Sequence, residues 1–271
     1  MNYARFWFIE LLAYWEGKIN TLPIQHQFGL SRQTSSNLLK QYRTENPGNL
    51  EYGTHDKAYV AKPDFKPQYI DQSVDEYFDW LTSRTFPSSP ETPFGITQLK
   101  PPRRYVSPLI TRKLIPAMRE KQRLEIDYLS ITSNDPEGRI ISPHSLVKTA
   151  TRWHVRAWCE KRQRFLDFVL SRFKGEPQVE GPAVYGEAHD EDWNTWVDII
   201  VAPDSRLSAG QKQVIESDYG MQNGHLTLTV RGPLVKYTID DLQIKTKMIE
   251  LRPEAQQLIC LNFDEIENWL Y

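Results

Sequence analysis

The chain is short of cysteine: Cys159 and Cys260 are its only two, and no CxxC pair occurs. Neither a disulfide framework nor a cysteine-rich zinc site is available, and a reducing cytoplasm suits such a sequence. It also lacks any apolar run approaching the roughly 18 residues that mark a membrane span, so no membrane partner is expected. Residues 1–17 are apolar enough to suggest a leader, but Arg5, Glu10 and Glu16 interrupt them and no small-residue cleavage site follows. Catalytic signatures are missing as well. There is no GxSxG elbow, HExxH, GxxxxGK[ST] or GxGxxG stretch, and the 6 histidines fall at no metal-ligand spacing. Asp190, Glu191 and Asp192 form the only dense set of carboxylates, which reads most simply as acids at a helix start. No catalysis, metal or cofactor is therefore expected.

What is present is length and uneven charge. A chain of 271 residues fits two or three domains. The net charge of -2 means that any nucleic-acid surface must come from local clustering. Such a cluster exists: Lys148, Arg152, Arg156, Lys161, Arg162, Arg164, Arg172 and Lys174 are opposed within their own stretch only by Glu160 and Asp167. Trp153, Trp158, Phe165, Phe168 and Phe173 are interleaved with them. A charge run alone is often just a solvated face, but bases mixed with large aromatics make a binding surface the better reading.

Periodicity divides the chain. Phe8, Leu11, Leu12 and Trp15 predict an amphipathic helix over 4–16, ended by Gly17. A second helix is expected over 21–28 and broken by Gly29; Ser31 then caps a third, running to about Tyr42. Residues 50–60 read as a hairpin around Gly53-Thr54-His55-Asp56. Val74, Tyr77, Phe78 and Leu81 suggest a further helix; residues 83–102, rich in Ser, Thr and Pro, read as a linker, and 109–121 as helical despite Pro116. Strand candidates follow at 123–128, 139–142, 153–159 and 165–169, with a turn at 134–138, a spacing that suggests a small barrel. The tail from about 190 mixes strands at 196–201, 226–230, Ile249 and 258–261 with helices at 208–217 and 233–242, an α+β domain of its own.

Helix, helix, glycine, helix, hairpin is the order of a winged helix-turn-helix, in which one helix enters the major groove while the preceding helix braces it. The third helix offers a polar face of Arg32, Gln33, Ser36, Asn37 and Lys40. Arginine pairs with guanine and glutamine or asparagine with adenine, whereas Ser31, Thr34, Lys40 and Arg43 suit phosphates. In the wing, His55 and Lys57 are placed to touch backbone or minor groove. Residues 1–65 carry seven bases against six acids. A lone copy would thus bind weakly, and a homodimer on a palindromic duplex operator is the expected partner arrangement.

The segments Ile141–Val147, Arg152–Trp158 and Phe165–Phe173 resemble the core of a WYL domain, with Trp153-His154-Val155 at the name-giving tripeptide. The layout is similar to the BrxR/CapW group of WYL repressors found beside phage-defence systems. That resemblance implies a multidomain α+β chain: a winged helix-turn-helix (1–65), a helical and Pro-rich linker (66–121), a WYL domain of Sm/SH3-like small β-barrel form (122–182) and a C-terminal α+β extension or dimerisation domain (190–271). It further implies a homodimer and a ligand pocket at Tyr128, His144, Trp153, His154, Arg156, Arg164 and Arg172, with Ser142 and Ser171 as neighbours by position. Arginine forks match phosphates and aromatic faces stack bases, so a nucleotide or nucleic-acid effector fits these residue types. Strand alternation sets Trp153, Val155 and Ala157 on one face and Arg152, His154, Arg156 and Trp158 on the other. The second face is the expected ligand face; Trp153 is more natural as a core residue, and His144 and His154 serve structure as readily as ligand binding. The expected function is a repressor relieved by its ligand; the alternative is a non-regulatory module that binds single-stranded nucleic acid on the Sm-like barrel.

Overall fold

A computed structural model describes residues 3–84, 86, 102, 104–131, 138–246 and 251–270. Two compact units make up the chain, one of Met1–Leu146 and Thr151–Val184, the other of Val147–Ala150 and Tyr185–Tyr271. Most of the expected linker at 83–102 lies outside the described residues, as do 134–137 of the expected turn and Ile249.

The first unit opens with α1 (Tyr3–Glu16), which buries Phe6, Trp7, Phe8, Leu11, Leu12 and Trp15. Large side chains sealed this completely contribute about 1.5–3 kcal/mol each relative to exposure. Gly17, at φ +82, lets the chain turn into β1 (Lys18–Ile19). Next come α2 (Thr21–Phe28) and α3 (Arg32–Glu45). Asn20 caps α2 and Gly29 closes it in the left-handed conformation, which a residue without Cβ adopts at little cost. The hairpin β2 (Leu50–Gly53) and β3 (Ala58–Ala61) pairs Leu50 with Ala61 and Gly53 with Ala58. β1 joins its other side through Lys18↔Val60, giving the order β1-β3-β2. Helix, helix, turn, helix and wing thus stand where the sequence placed them; the short β1 is an addition.

Helix α4 (Val74–Ser83) is capped by Ser73, and α5 (Pro108–Glu120) by Ser107 with Pro108 in its first turn. Both caps satisfy helix-start N–H groups that have no partner within the helix. Beyond them runs a sheet of β4 (Gln122–Tyr128), β5 (Arg139–Thr149), β6 (Arg152–Cys159), β7 (Arg164–Val169) and β8 (Phe173–Pro182). Its order is β7-β6-β5-β4-β8. Among the described residues no pairing joins β7 to β8, so the expected small barrel is not closed by hydrogen bonds. The winged helix and this sheet share one continuous apolar core, from Phe6 of α1 through Tyr77 of α4 and Leu114 of α5 to Val155 of β6.

The second unit holds α6 (Glu191–Asn194), β9 (Trp196–Pro203), α7 (Ala209–Asp218), β10 (Leu226–Arg231), α8 (Val235–Asp241), α9 (Pro253–Gln256), β11 (Leu258–Cys260) and α10 (Phe263–Ile266). Its sheet has the order β10-β9-β11, all antiparallel. The core is built on Ile199, Val201, Ile215, Val235 and Ile239. Gly232 lies so close to the ring of Trp269 that any Cβ there would overlap it. Among the described residues no helix is long and apolar enough to cross a membrane.

Candidate nucleic-acid interface and ligand site

Helix α3 is two-sided. Ser35, Leu38, Leu39 and Tyr42 are buried, whereas Arg32, Gln33, Thr34, Ser36, Asn37 and Lys40 are all exposed. The exposed side chains are partly arranged before any ligand arrives. Gln33 Nε2 donates to Asn37 Oδ1 at 3.1 Å, an i,i+4 pair that restrains two amides on one face. The Ser31 hydroxyl accepts from Thr34 N at 3.1 Å, so this residue, expected at a phosphate, also serves as the helix cap. Arg43 is turned differently from the rest. It is half-buried with its guanidinium 4.8 Å from the centre of the Tyr59 ring, which braces α3 against the wing. At the wing tip His55 and Lys57 are exposed, and Asp56 pairs with Lys18 of β1 at 2.8 Å. An open ion pair of this kind is worth little in energy, but it links the tip to β1.

Beneath α3 lies a polar network that the sequence did not reveal. Glu10 of α1 is completely buried. Its carboxylate accepts from Tyr42 Oη at 2.8 Å and from the backbone N–H groups of Gln68, Tyr69 and Ile70. Asn49 donates to the same Tyr42 hydroxyl at 2.9 Å and exchanges two hydrogen bonds with the backbone of Lys66. Burial pushes the Glu10 carboxyl above its ordinary value, and the hydrogen bonds pull against it. The only signal in the sequence was an acid, Glu10, set between apolar residues in the middle of the helix.

The sheet carries the second candidate site, a cavity of about 410 Å³. Arg139, Arg162, Arg164 and Arg172 line it, together with Tyr128, Phe168, Leu166, Ser130 and Asp167. Tyr128 and Phe168 meet edge to face at 5.1 Å, and the Tyr128 hydroxyl accepts from Val169 N at 3.1 Å. Of the residues expected in the pocket, Tyr128, Arg164 and Arg172 line this cavity. Arg156, 5 % exposed, reaches it through Asp167, to which it is ion-paired at 3.3 Å. Breaking a pair this deeply buried leaves an uncompensated charge, which gives Arg156 a structural share.

The others lie elsewhere. Ser142 is buried in β5, and Ser171 is half-buried in the turn before β8. His144 stands edge-on to Phe165 at 5.5 Å with Nδ1 2.9 Å from the Ser145 hydroxyl. His154 is 3 % exposed, and its pKa is pushed down to about 4 by burial and then by the charges of Arg152, Arg172 and Arg104. Trp153 faces α4, where its indole N–H donates to Asp75 at 2.8 Å. Arg139, Arg162, Leu166 and Phe168 were not singled out for the pocket. Arg162 and Phe168 stood in the basic-aromatic run that signalled a binding surface, but nothing marked Arg139, beside the 134–138 turn, as its neighbour in space.

A helix with a bare polar face, braced by its neighbours beside a β wing and followed by an arginine-lined sheet, defines the winged-helix class of transcription regulator with a WYL domain. The model of the BrxR transcriptional regulator winged helix-turn-helix domain matches residues 2–83, the WYL domain model residues 110–175, and the BrxR C-terminal dimerization domain model residues 196–266. The chain is 33% identical over 273 residues to the DNA-binding transcriptional repressor CapW of Pseudomonas aeruginosa, across 96% of this chain and 89% of that one. It is 34% identical over 269 residues to CapW of Escherichia coli strain KTE188, across 96% and 88%. CapW of Stenotrophomonas maltophilia is 29% identical across 97% and 90%. The chain belongs to the BrxR/CapW family of WYL-domain transcriptional repressors. Proteasome accessory factor B/C of Arthrobacter aurescens superposes with a TM-score of 0.30 at 13% identity, over 100% of this chain and 46% of that one, a likeness too loose to bear on function.

Proposed function

We propose that this chain is a cytoplasmic, homodimeric repressor of a phage-defence operon, which binds a palindromic duplex through α3 and the wing and is released when a nucleotide or nucleic-acid fragment fills the WYL cavity. The observation that carries this reading is the division of α3 into a clamped apolar side and an exposed side bearing Arg32, Gln33, Ser36, Asn37 and Lys40. Side chains of these types, one helical turn apart, match base edges in the major groove. Thr34, His55 and Lys57 fall to the flanking phosphates. The C-terminal unit is read as the dimerisation domain, in keeping with the family model it matches. Arginine forks beside Tyr128 and Phe168 suit a phosphate joined to a planar base, on a sheet read as an open relative of the Sm-like barrel.

The test is titration of the duplex upstream of the chain's own gene. Arg32→Ala and Asn37→Ala are each expected to weaken that duplex by about 1–3 kcal/mol and a random duplex much less. Equal losses on both would reduce them to phosphate contacts. A preference for single strands over any duplex would replace this reading with that of a single-strand binding module. For the cavity, a short single-stranded oligodeoxynucleotide is the probe. Arg172→Ala is expected to keep duplex affinity but to bind the oligonucleotide about tenfold more weakly or worse, the worth of one charge-assisted hydrogen bond. Unchanged oligonucleotide affinity would move the site away from this cavity.

A further inference from the structure

We propose that Trp153 acts as a strut: it ties β6, which pairs with the cavity-lining strand β7, to α4, and through α4 and α1 to the DNA-facing helix, so that events at the cavity and at α3 act on each other through this contact. The inference rests on the reading of α3 as the DNA-binding helix. It assigns Trp153 and Asp75 a positioning role rather than contact with ligand.

The geometry runs without a break. Trp153 is 8 % exposed; its indole N–H donates to Asp75 Oδ1 at 2.8 Å and its ring lies 4.6 Å from that of Phe78, both on α4. Trp7 Nε1 of α1 donates to Glu76 Oε1 at 2.6 Å, next to Asp75. Tyr77 stacks on Trp15 of α1 at 6.1 Å, and Trp80 meets Phe8 edge-on at 5.3 Å. Helix α1 in turn grips α3, with Phe6 against the Tyr42 ring at 5.4 Å and Glu10 on its hydroxyl. On the other side, His154 follows Trp153 in β6 and pairs in register with Val169, whose N–H goes to the cavity residue Tyr128. Arg156, three residues along β6 from Trp153, holds Asp167 of the cavity.

Close packing makes such an array respond as discrete arrangements rather than by smooth deformation. A second attachment exists in α5, where Thr111 Oγ1 donates to Trp15 O and Arg112 Nε to Tyr14 O, each at 2.9 Å. Both of these bonds fall at the C-terminal end of α1. The Trp153 contact reaches α4, which meets α1 from Trp7 to Trp15, and it starts on β6, the partner of the cavity-lining strand β7. This is why the strut, rather than α5, is assigned the coupling.

Coupling is reciprocal: if the cavity biases α3, then DNA on α3 must be felt at Trp153. No effector is therefore needed for the test. The full chain is labelled with 5-fluorotryptophan, its resonances are assigned by single Trp→Phe substitutions, and the promoter duplex is added to saturation, which is verified by anisotropy on the same sample. The Trp153 signal is expected to move by more than its linewidth. Trp158, on the same strand but packed on Phe165 at 5.2 Å, is expected to stay. Asp75→Asn keeps an acceptor for the indole and is expected to keep the response. Asp75→Ala is expected to abolish it while duplex binding persists.

A Trp153 signal that stays fixed at saturation overturns the proposal, as does an Asp75→Ala protein that responds like the parent. If Asp75→Ala does not fold, the parent and Asp75→Asn measurements still decide. A chain that binds no duplex fails in the anisotropy arm, which removes the α3 reading and the strut with it.

Discussion

Replacing Glu10 with leucine is expected to destabilise the full chain by about 3–5 kcal/mol. The carboxylate serves four donors at once, the hydroxyl of Tyr42 and the N–H groups of Gln68, Tyr69 and Ile70. A leucine of similar length fills the space but accepts nothing. A buried donor stripped of its partner costs about 1–3 kcal/mol, and the backbone donors sit at the margin of the core, where water relieves part of the sum. Glu10→Gln is expected to lose less, since its carbonyl still accepts while its amide turns two hydrogens toward N–H groups. Urea unfolding followed by tryptophan fluorescence gives the difference, and a double-mutant cycle with Tyr42→Phe isolates the bond to α3. Duplex affinity should fall with stability, because Glu10 and Tyr42 together fix the height of α3 on α1. A loss below about 1 kcal/mol would mean that the four donors find other partners and that the network does not hold the helix.

The same network shows what the sequence could and could not tell. The faces of α3 were legible because burial there follows helical period: Ser35, Leu38, Leu39 and Tyr42 inside, Arg32, Gln33, Ser36, Asn37 and Lys40 outside. The helix starts were legible because Ser31 is a side-chain cap and Gly29 a stop. Strands β9, β10 and β11 and helices α7 and α8 fell within a few residues of their expected places for similar local reasons. Glu10 was read only as an interruption, because its partners lie 32 to 60 residues away and no local pattern encodes them.

Trp153 was legible only in part, for a related reason. Alternation gave its face of β6 correctly as distinct from that of His154 and Arg156, but both faces of that strand are buried. Period 2 cannot say which buried face meets a cavity and which meets α4. Composition likewise announced an arginine-rich ligand surface, but joining Arg139 to Arg162, Arg164 and Arg172 required the pairing of distant strands.

His154 is expected to make the chain acid-sensitive in a defined window. An ordinary histidine titrates near 6.5, whereas burial and the neighbouring Arg152, Arg172 and Arg104 hold this one at about 4. Between those values the unfolded chain binds a proton that the native chain refuses. Stability from this residue is therefore complete above about 6.5 and lost as pH falls toward about 4. At about 1.4 kcal/mol per pH unit, the loss over that span is roughly 3 kcal/mol. Glu76 works in the opposite sense. Burial pushes it up to about 7, so its acid form is favoured by folding and its contribution declines as pH rises from about 4.5 to about 7. The two effects oppose each other across much of the same range, and the whole-chain profile blurs them. Single substitutions separate them. The stability of the parent minus that of His154→Gln should climb with pH between about 4 and 6.5, whereas the same difference for Glu76→Gln should descend between about 4.5 and 7. An anion held by Arg172 beside His154 offsets part of the repulsion that keeps the imidazole neutral, so the probe oligonucleotide should shrink the acid loss in the parent and leave the His154→Gln profile unchanged. A parent profile that matches His154→Gln at every pH would mean that the imidazole reaches water in the folded chain, and that the arginines around it do not form a common cationic surface.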